Sequence, residues 1–117
     1  MKISEIQKLL SAEVLTCTAR LDADVKSACG SDMMSDVLAY VKDQAVLLTG
    51  LVNLQVVRTA EMMDMVCIVF VRSKKPTAEI LALAEQNGIV IMTTELRMYD
   101  ACGILYANGL QGALQNG

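Results

Sequence analysis

Short apolar segments recur along the middle of this chain with helical patterns between them. The three segments are Ala45–Leu48, Val66–Val71 and Ile89–Met92. Uninterrupted apolar runs of this length are typical of parallel strands that are covered by helices on both faces. A helical pattern precedes the second segment, and another over Pro76–Asn87, closed by Gly88, precedes the third. The pattern therefore predicts a parallel core whose strands are joined by crossover helices.

The remaining elements are predicted to pack around this core. They are a short helix that starts with a capping box over Ser4–Gln7 and ends near Leu10, strands over Ala12–Thr18 and Val25–Ala28, and helices over Met33–Lys42 and Glu95–Asn108, with Asn53 and Thr94 as helix caps. The sum is a three-layer α/β/α fold with a mostly parallel sheet of about four or five strands. We expect residues 1–110 to form a single domain and residues 111–117 to form a disordered tail.

Composition adds an expectation about association. Hydrophobic residues make up 54% of the 117 residues, whereas aromatic residues make up 3%. The core is therefore aliphatic and methionine-rich, and a chain of this size leaves apolar surface uncovered. A homodimer is the simplest way to cover it.

Charge and hydropathy exclude several classes of partner. The formal net charge is −3, and no basic run or aromatic platform of the kind that binds nucleic acid is present. No apolar stretch reaches the length of a membrane helix, and the polar residues of Met1–Leu10 do not fit a signal peptide. We expect a cytoplasmic protein that binds neither nucleic acid nor membrane.

The four cysteines do not form a metal-binding pattern. They lie far apart in the sequence, and the chain contains no histidine, so no metal site is expected. Cys67 lies within an apolar strand and is interpreted as a core thiol. Cys102 lies in a predicted helix of small residues, where close helix packing and an exposed, reactive thiol both remain open.

Polar residues follow each of the three core strands. They are Thr49, Gly50 and Asn53 after the first strand, Arg72, Ser73 and Lys74 after the second, and Thr93 and Thr94 after the third. In open parallel sheets ligands bind beyond the carboxyl ends of the strands, where helix N-termini present backbone N–H groups. These residues are a candidate site for a nucleotide or another anion. Ordinary β-α turns beside a solvated basic loop are the favoured explanation, because one glycine in a turn is a weak signal and G-x-G-x-x-G is missing.

Catalytic motifs are absent from the sequence. It contains neither a P-loop nor a G-x-S-x-G elbow, and without histidine no common base is available for a nucleophile. Asp32 and Asp36 lie four residues apart on a predicted helix, where one face would bring the two carboxylates together. The favoured explanation is that carboxylates near the positive end of the helix dipole stabilise the start of the helix. No catalytic residue and no cofactor are therefore predicted.

Several segments together resemble the DRTGG domain family. They are Ser31–Ala39, Leu47–Leu51, the strand Val66–Val71, Thr93-Thr94 and Ala101–Tyr106 with Gly109-Leu110, and they span about residues 2–110. The piece closest to the namesake run is Leu48–Leu51, in which the Asp-Arg pair is absent. The resemblance implies the α/β/α fold of the amino-terminal domain of HPr kinase/phosphorylase. It also implies a regulatory or dimerising module without chemistry of its own, of the kind that accompanies CBS domains in regulatory pyrophosphatases.

Three hypotheses about function remain. The first is a non-catalytic regulatory or protein-interaction module that senses a nucleotide or another anionic metabolite. The second is a small enzyme, or enzyme subunit, that acts on a phosphorylated substrate through a thiol or through Thr49, Arg72 and Lys74. The third is a structural subunit of a larger cytosolic complex. The missing histidine and P-loop favour the first and third hypotheses.

Overall fold

A computed structural model describes residues 1–40 and 44–112 of the chain. Its strands are β1 (Glu13–Val14), β2 (Ser27–Gly30), β3 (Ala45–Thr49), β4 (Cys67–Phe70) and β5 (Val90–Thr93). Its α-helices are α1 (Ile3–Leu10), α2 (Met34–Tyr40), α3 (Leu54–Met62), α4 (Ala78–Gln86) and α5 (Met98–Ala107). The strands form one sheet in the order β1-β5-β4-β3-β2. Strands β2 to β5 are parallel, and β1 pairs antiparallel with β5.

The predicted parallel core is confirmed as β3, β4 and β5. Every residue of these three strands is buried. Leu47 pairs with Ile68, which in turn pairs with Ile91, and all three side chains point to the same face of the sheet. Their neighbours along each strand point to the opposite face, where they join a second apolar cluster. Because both faces are apolar, the sheet must be covered on both sides.

The helices divide between the two faces, which confirms the three-layer α/β/α fold. Helices α1 and α5 cover one face through Ile3, Ile6, Leu10, Ala101 and Leu105. Helices α2, α3 and α4 cover the other through Val37, Val56, Val57, Ala60, Ile80 and Ala84. Each helix contributes one apolar stripe, as expected for a helix that lies on a sheet.

The two predicted helix caps after the core strands have different outcomes. Asn53 caps α3 as predicted, because its side-chain oxygen accepts a hydrogen bond from the Val56 N–H at 3.1 Å. The prediction that Thr94 caps the last helix is wrong, since α5 begins at Met98. Thr94 is buried, and its hydroxyl donates to the Leu10 carbonyl at 2.7 Å, so it joins the end of α1 to the sheet.

The strand predicted over Ala12–Thr18 is largely wrong, because only Glu13 and Val14 form β1. The Thr16 hydroxyl enters the ladder beside β5, donating to the Ile89 carbonyl at 2.7 Å and accepting from the Ile91 N–H at 2.8 Å. A side chain thus replaces the backbone at this edge. Cys17 then takes a left-handed conformation with φ of 50°, and the chain turns away from the sheet.

Other predicted boundaries near the N-terminus are shifted. Helix α1 begins at Ile3, before the predicted capping box, and the Lys2 N–H donates to the Glu5 carboxylate. Strand β2 lies at Ser27–Gly30, two residues later than its predicted start at Val25. Helix α2 begins at Met34, one residue later than predicted, so Asp32 lies before the helix and does not share a helical face with Asp36. The predicted end of this helix at Lys42 lies outside the described residues.

The outer edge of β2 is partly covered by the end of the described chain. The Ala28 N–H donates to the Gln111 carbonyl at 3.0 Å, whereas the Ser31 N–H donates inward to the Leu48 carbonyl of β3. Since backbone groups alternate in direction along a strand, Gly30 shares the outward direction of Ala28. The predicted tail from Gln111 onward lies outside the described residues after position 112.

Candidate functional site

The carboxyl ends of the parallel strands meet the start of α5 at one edge of the sheet and enclose a cleft of about 460 Å³. Its lining residues are Gly30, Ser31, Asp32, Gly50, Val71, Arg72, Arg97, Met98 and Tyr99. They come from the ends of β2, β3 and β4 and from the first turn of α5. Ligand sites of open parallel sheets occur at this kind of edge, and the volume lies in the usual range for small-molecule pockets.

Asp32 organises the floor of the cleft. Its Oδ1 accepts hydrogen bonds from the Thr49 hydroxyl at 3.0 Å and from the Gly50 N–H at 2.7 Å. Thr49 is completely buried, and its hydroxyl also accepts from the Leu51 N–H at 3.1 Å. The predicted site residue Thr49 therefore stabilises the loop after β3 through its hydrogen bonds, while Gly50 lines the cleft.

Arg72 reaches the cleft through an unusual backbone. Arg72 and Ser73 both have left-handed conformations, with φ of 59° and 57°. Such conformations typically cost about 1–3 kcal/mol each and need support from the surrounding structure. Here the Arg72 N–H donates to the Leu96 carbonyl and the Ser73 N–H to the Thr94 carbonyl, both at 2.8 Å. The turn is thus fixed to the segment that leads into α5.

The Arg72 guanidinium lies across Gly50. A Cβ atom at Gly50 would overlap Nη2 of Arg72 and would lie 3.3 Å from its Cζ. Only a residue without a side chain permits this close approach. Gly50 donates its N–H to Asp32 while its α-carbon supports Arg72, so groups of opposite charge converge on one glycine.

Positive charge predominates in the cleft. Arg72 and Arg97 both line it, and Asp32 is the acidic member of the lining set. In residues 1–40 and 44–112, no salt bridge involves either arginine. Arg97 is also the N-cap residue of α5, and its side chain makes no capping hydrogen bond. The free N–H groups and positive dipole end of a ten-residue helix therefore add to the two guanidinium charges. The arrangement suits an anion.

Three of the predicted site residues lie at a second pocket instead. Ser73, Thr93 and Thr94 line a pocket of about 240 Å³ together with Ser11, Glu13, Lys75 and Glu95. The Thr93 hydroxyl donates to the Lys74 carbonyl at 2.8 Å, and the Thr94 hydroxyl is engaged by Leu10. Two carboxylates face this pocket, so it suits an anion less well than the first. Lys74 is exposed outside both sets of lining residues.

The eight residues predicted at the strand ends thus separate into four groups. Gly50 and Arg72 lie together in the arginine-lined cleft, and Thr49 and Asn53 support the loops. Ser73, Thr93 and Thr94 line the second pocket, and Lys74 lines neither. The sequence interpretation missed Asp32, Arg97 and Tyr99. A strand β2 that extends to Gly30 would have placed Asp32 at a strand end, which is the signal that could have found it.

Burial disfavours the thiolate form of the four cysteine side chains. All four are free thiols. Burial raises the pKa of Cys29, Cys67 and Cys102, and the buried Cys67 is a core residue as predicted. Burial, together with hydrogen bonding and charge from Glu85, raises the pKa of Cys17 to about 11. Cys102, whose exposure the sequence left open, is half-buried, and its Sγ lies beside Gly30.

The described residues contain neither a metal-binding cluster nor a membrane-spanning helix. No cluster of three or more cysteine, aspartate or glutamate side chains that fits a metal ion occurs in residues 1–40 and 44–112. Across the same residues, no helix combines the length and apolar character needed to span a membrane.

The fold defines an α/β module with a cleft at the carboxyl edge of its parallel sheet. The sequence-family model of the DRTGG domain matches residues 5–107, and the chain belongs to this family. The resemblance inferred from the sequence is therefore confirmed. A search of curated proteins gives no match.

Among solved structures, the chain is similar to the CBS and DRTGG domains of the regulatory region of Clostridium perfringens pyrophosphatase, complexed with its activator diadenosine tetraphosphate. The TM-score is 0.72 at 17% sequence identity, and the match covers 89% of this chain. It covers 45% of the other chain, so this protein spans less than half of that regulatory region. At this identity the likeness supports the fold.

Proposed function

We propose that this chain is a non-catalytic regulatory module that binds a nucleotide or another anionic metabolite in the cleft between β2, β3, β4 and α5. We further propose that it acts in the cytoplasm and that residues 1–110 form its domain. The observation that carries the proposal is the pair of guanidinium groups, Arg72 and Arg97, which line one cleft without a salt bridge in the described chain.

Two arginines without a carboxylate partner favour an anionic ligand on electrostatic grounds. Two positive charges that line one cleft repel each other, and an anion between them replaces this repulsion with attraction. Guanidinium groups also bind phosphate through paired, parallel hydrogen bonds, which adds directional specificity. Asp32 offsets only one of the two positive charges, and its Oδ1 faces the Thr49 hydroxyl and the Gly50 N–H, so the cleft keeps a net positive charge.

The same cleft offers little to an enzyme, which is why we propose sensing rather than catalysis. The Ser31 hydroxyl accepts from the Met33 N–H at 3.0 Å and donates to the Met33 carbonyl, so it is occupied by the backbone. The nearby Cys102 thiol has a raised pKa and is a weak nucleophile as a result. These features argue against an enzyme acting on a phosphorylated substrate. The family supports the choice, since the similar structure belongs to a regulatory region that was determined with a nucleotide activator.

We also propose that the protein is a homodimer. The outer face of α5 carries an apolar groove that includes Gly103, Tyr106 and Ala107. Tyr106 is 62% exposed, and a Cβ atom on Gly103 would have no neighbour within 4 Å. A second copy that packs the Gly103–Ala107 part of α5 against its own would cover this part of the groove. The same face also supports the alternative of a structural subunit with a protein partner. Sedimentation tests the homodimer: the wild type should sediment as a dimer and Tyr106→Glu as a monomer.

A thermal-shift titration tests the binding proposal. A ligand at about 100 times its dissociation constant adds roughly 2.7 kcal/mol of stability, which corresponds to several degrees for a domain of this size. The panel is pyrophosphate, nucleoside mono- and diphosphates, dinucleoside polyphosphates and acyl phosphates. Arg72→Gln and Arg97→Gln should each remove the shift produced by a ligand.

The matched control is Arg58→Gln, which removes an exposed arginine on α3 and should leave the shift unchanged. If no compound stabilises the wild type, the sensing proposal fails and the structural-subunit alternative gains support. If a compound stabilises the wild type and both cleft variants equally, it binds elsewhere and this cleft is not the site.

A further inference from the structure

We infer that the cleft takes a ribonucleoside 5′-phosphate, with the phosphate on Arg72 and Arg97, a ribose hydroxyl on the free oxygen of Asp32 and the base on the ring of Tyr99. This inference rests on the proposed anion site and narrows its ligand class. Four side chains that line the cleft carry the inference: two cations, one carboxylate and one aromatic ring.

Tyr99 is the first reason to expect an aromatic group on the ligand. The chain contains three tyrosines, one phenylalanine and no tryptophan, so an aromatic side chain at the cleft is unusual for this composition. The Tyr99 side chain is 88% exposed and lines the cleft directly after Arg97 and Met98. A nucleobase that stacks on an exposed aromatic ring typically gains about 1–3 kcal/mol per base.

Asp32 is the second reason, because one of its carboxylate oxygens is free to accept a hydrogen bond from a neutral donor such as a sugar hydroxyl. Its Oδ1 is occupied by Thr49 and Gly50, and no donor of the described residues reaches its Oδ2. A carboxylate repels a phosphate but accepts hydrogen bonds from sugar hydroxyls, as acidic residues of nucleotide-binding α/β folds do.

Charge then fixes the orientation of the ligand. Asp32 and Arg72 approach Gly50 from different directions without forming a salt bridge in the described chain. The phosphate must lie on the arginine side, next to the N-terminus of α5, and the sugar must lie on the Asp32 side. A cleft of about 460 Å³ has room for one such ligand.

Calorimetric titration of the intact protein tests the inference. The probes are the four 5′-ribonucleoside monophosphates, their 2′-deoxy forms, ribose 5-phosphate and inorganic phosphate. We expect at least one ribonucleotide to bind about tenfold more tightly than ribose 5-phosphate, as one stacked base provides. Tyr99→Ala should remove this preference, and Tyr99→Phe should retain it because the ring remains.

Two more variants complete the test. Met62→Ala removes an exposed apolar side chain of α3 that does not line the cleft, and it should leave the preference unchanged. Asp32→Asn keeps an acceptor for Thr49 and Gly50 but places an amide donor where the free oxygen was, so it should reduce the preference for ribose over deoxyribose.

The outcomes distinguish this inference from the proposed function. If ribose 5-phosphate and the nucleotides bind equally, and Arg72→Gln weakens both, the anion site stands and the nucleotide inference is overturned. Equal affinity of Tyr99→Ala and wild type for every nucleotide overturns it as well. If none of the phosphorylated probes binds, both the inference and the proposed anion site fail.

Discussion

Replacement of Gly50 by alanine should weaken ligand binding while leaving the fold almost as stable as before. The new methyl group would overlap Nη2 of Arg72 and lie 3.3 Å and 3.4 Å from its Cζ and Nε. Gly50 does not have a left-handed backbone, so alanine is compatible with its conformation. The guanidinium is the end of a flexible, exposed side chain and can rotate away, which leaves the backbone undisturbed.

The expected magnitudes follow from this geometry. Loss of one charge-assisted hydrogen bond to the ligand costs about 1.5–3 kcal/mol, which corresponds to roughly a 10- to 100-fold weaker affinity. The free energy of unfolding should change by less than about 0.5 kcal/mol, because the methyl group meets a mobile atom and alanine lowers the entropy of the unfolded chain. Calorimetric titration measures the affinity for the anionic ligand, and urea unfolding measures the free energy of unfolding.

Gly30→Ala is the contrasting control on the other side of the cleft. Its Cβ atom would lie 2.6 Å from Sγ of Cys102 and 3.2 Å from Sδ of Met98, two side chains packed between α5 and the sheet. Overpacking of this kind typically costs about 1–3 kcal/mol, and the added change Cys102→Ala should restore part of the loss. If Gly50→Ala binds ligand as tightly as the wild type, or if it destabilises the fold as much as Gly30→Ala, the described position of Arg72 is contradicted.

Three further outcomes follow from the hydrogen bonds and burial. Thr16→Val leaves the Ile89 carbonyl and the Ile91 N–H beside β5 without a partner and should lower the free energy of unfolding by about 2–4 kcal/mol. The exposed control Thr18→Val should change it little, and urea unfolding measures both variants. Asn53→Ala removes the cap of α3 and should cost about 1 kcal/mol in the same assay, and no loss would contradict the capping bond. The pKa of Cys17 is raised from 9.0 to about 11, so its contribution to stability is complete below pH 9 and is lost as pH rises towards 11. Alkylation of Cys17 by iodoacetamide should be slow at pH 8 and faster in Glu85→Gln. Equal rates in the wild type and in Glu85→Gln would refute the role of the Glu85 carboxylate.

The parallel core could be predicted because its strands are apolar along their whole length. Residues such as Leu47 and Val46 point to opposite faces, and both must be buried, which leaves a helix-covered parallel sheet as the simple solution. The edge strand could not be predicted in the same way. Thr16 uses its hydroxyl in place of its backbone, and an alternating pattern of side chains does not reveal this exchange.

The candidate site was predictable only where it depends on strand order. Gly50 and Arg72 follow two neighbouring strands, so their proximity follows from the predicted topology. Arg97 was missed because Thr94 has the sequence features of a helix cap, although it is buried against the end of α1. The two left-handed residues that direct Arg72 over Gly50 also depend on tertiary hydrogen bonds to the segment before α5, which no local pattern encodes.

The most direct test of the anion-binding cleft is a map of backbone amide shifts by nuclear magnetic resonance, recorded while pyrophosphate and AMP are added to the intact protein. The cleft predicts that the amides of Gly30, Asp32, Gly50, Arg72 and Tyr99 shift together and saturate at one dissociation constant. Shifts that concentrate instead around the pocket lined by Ser73, Thr93 and Thr94, or that spread weakly over exposed lysines, would contradict the claim that this cleft binds anions.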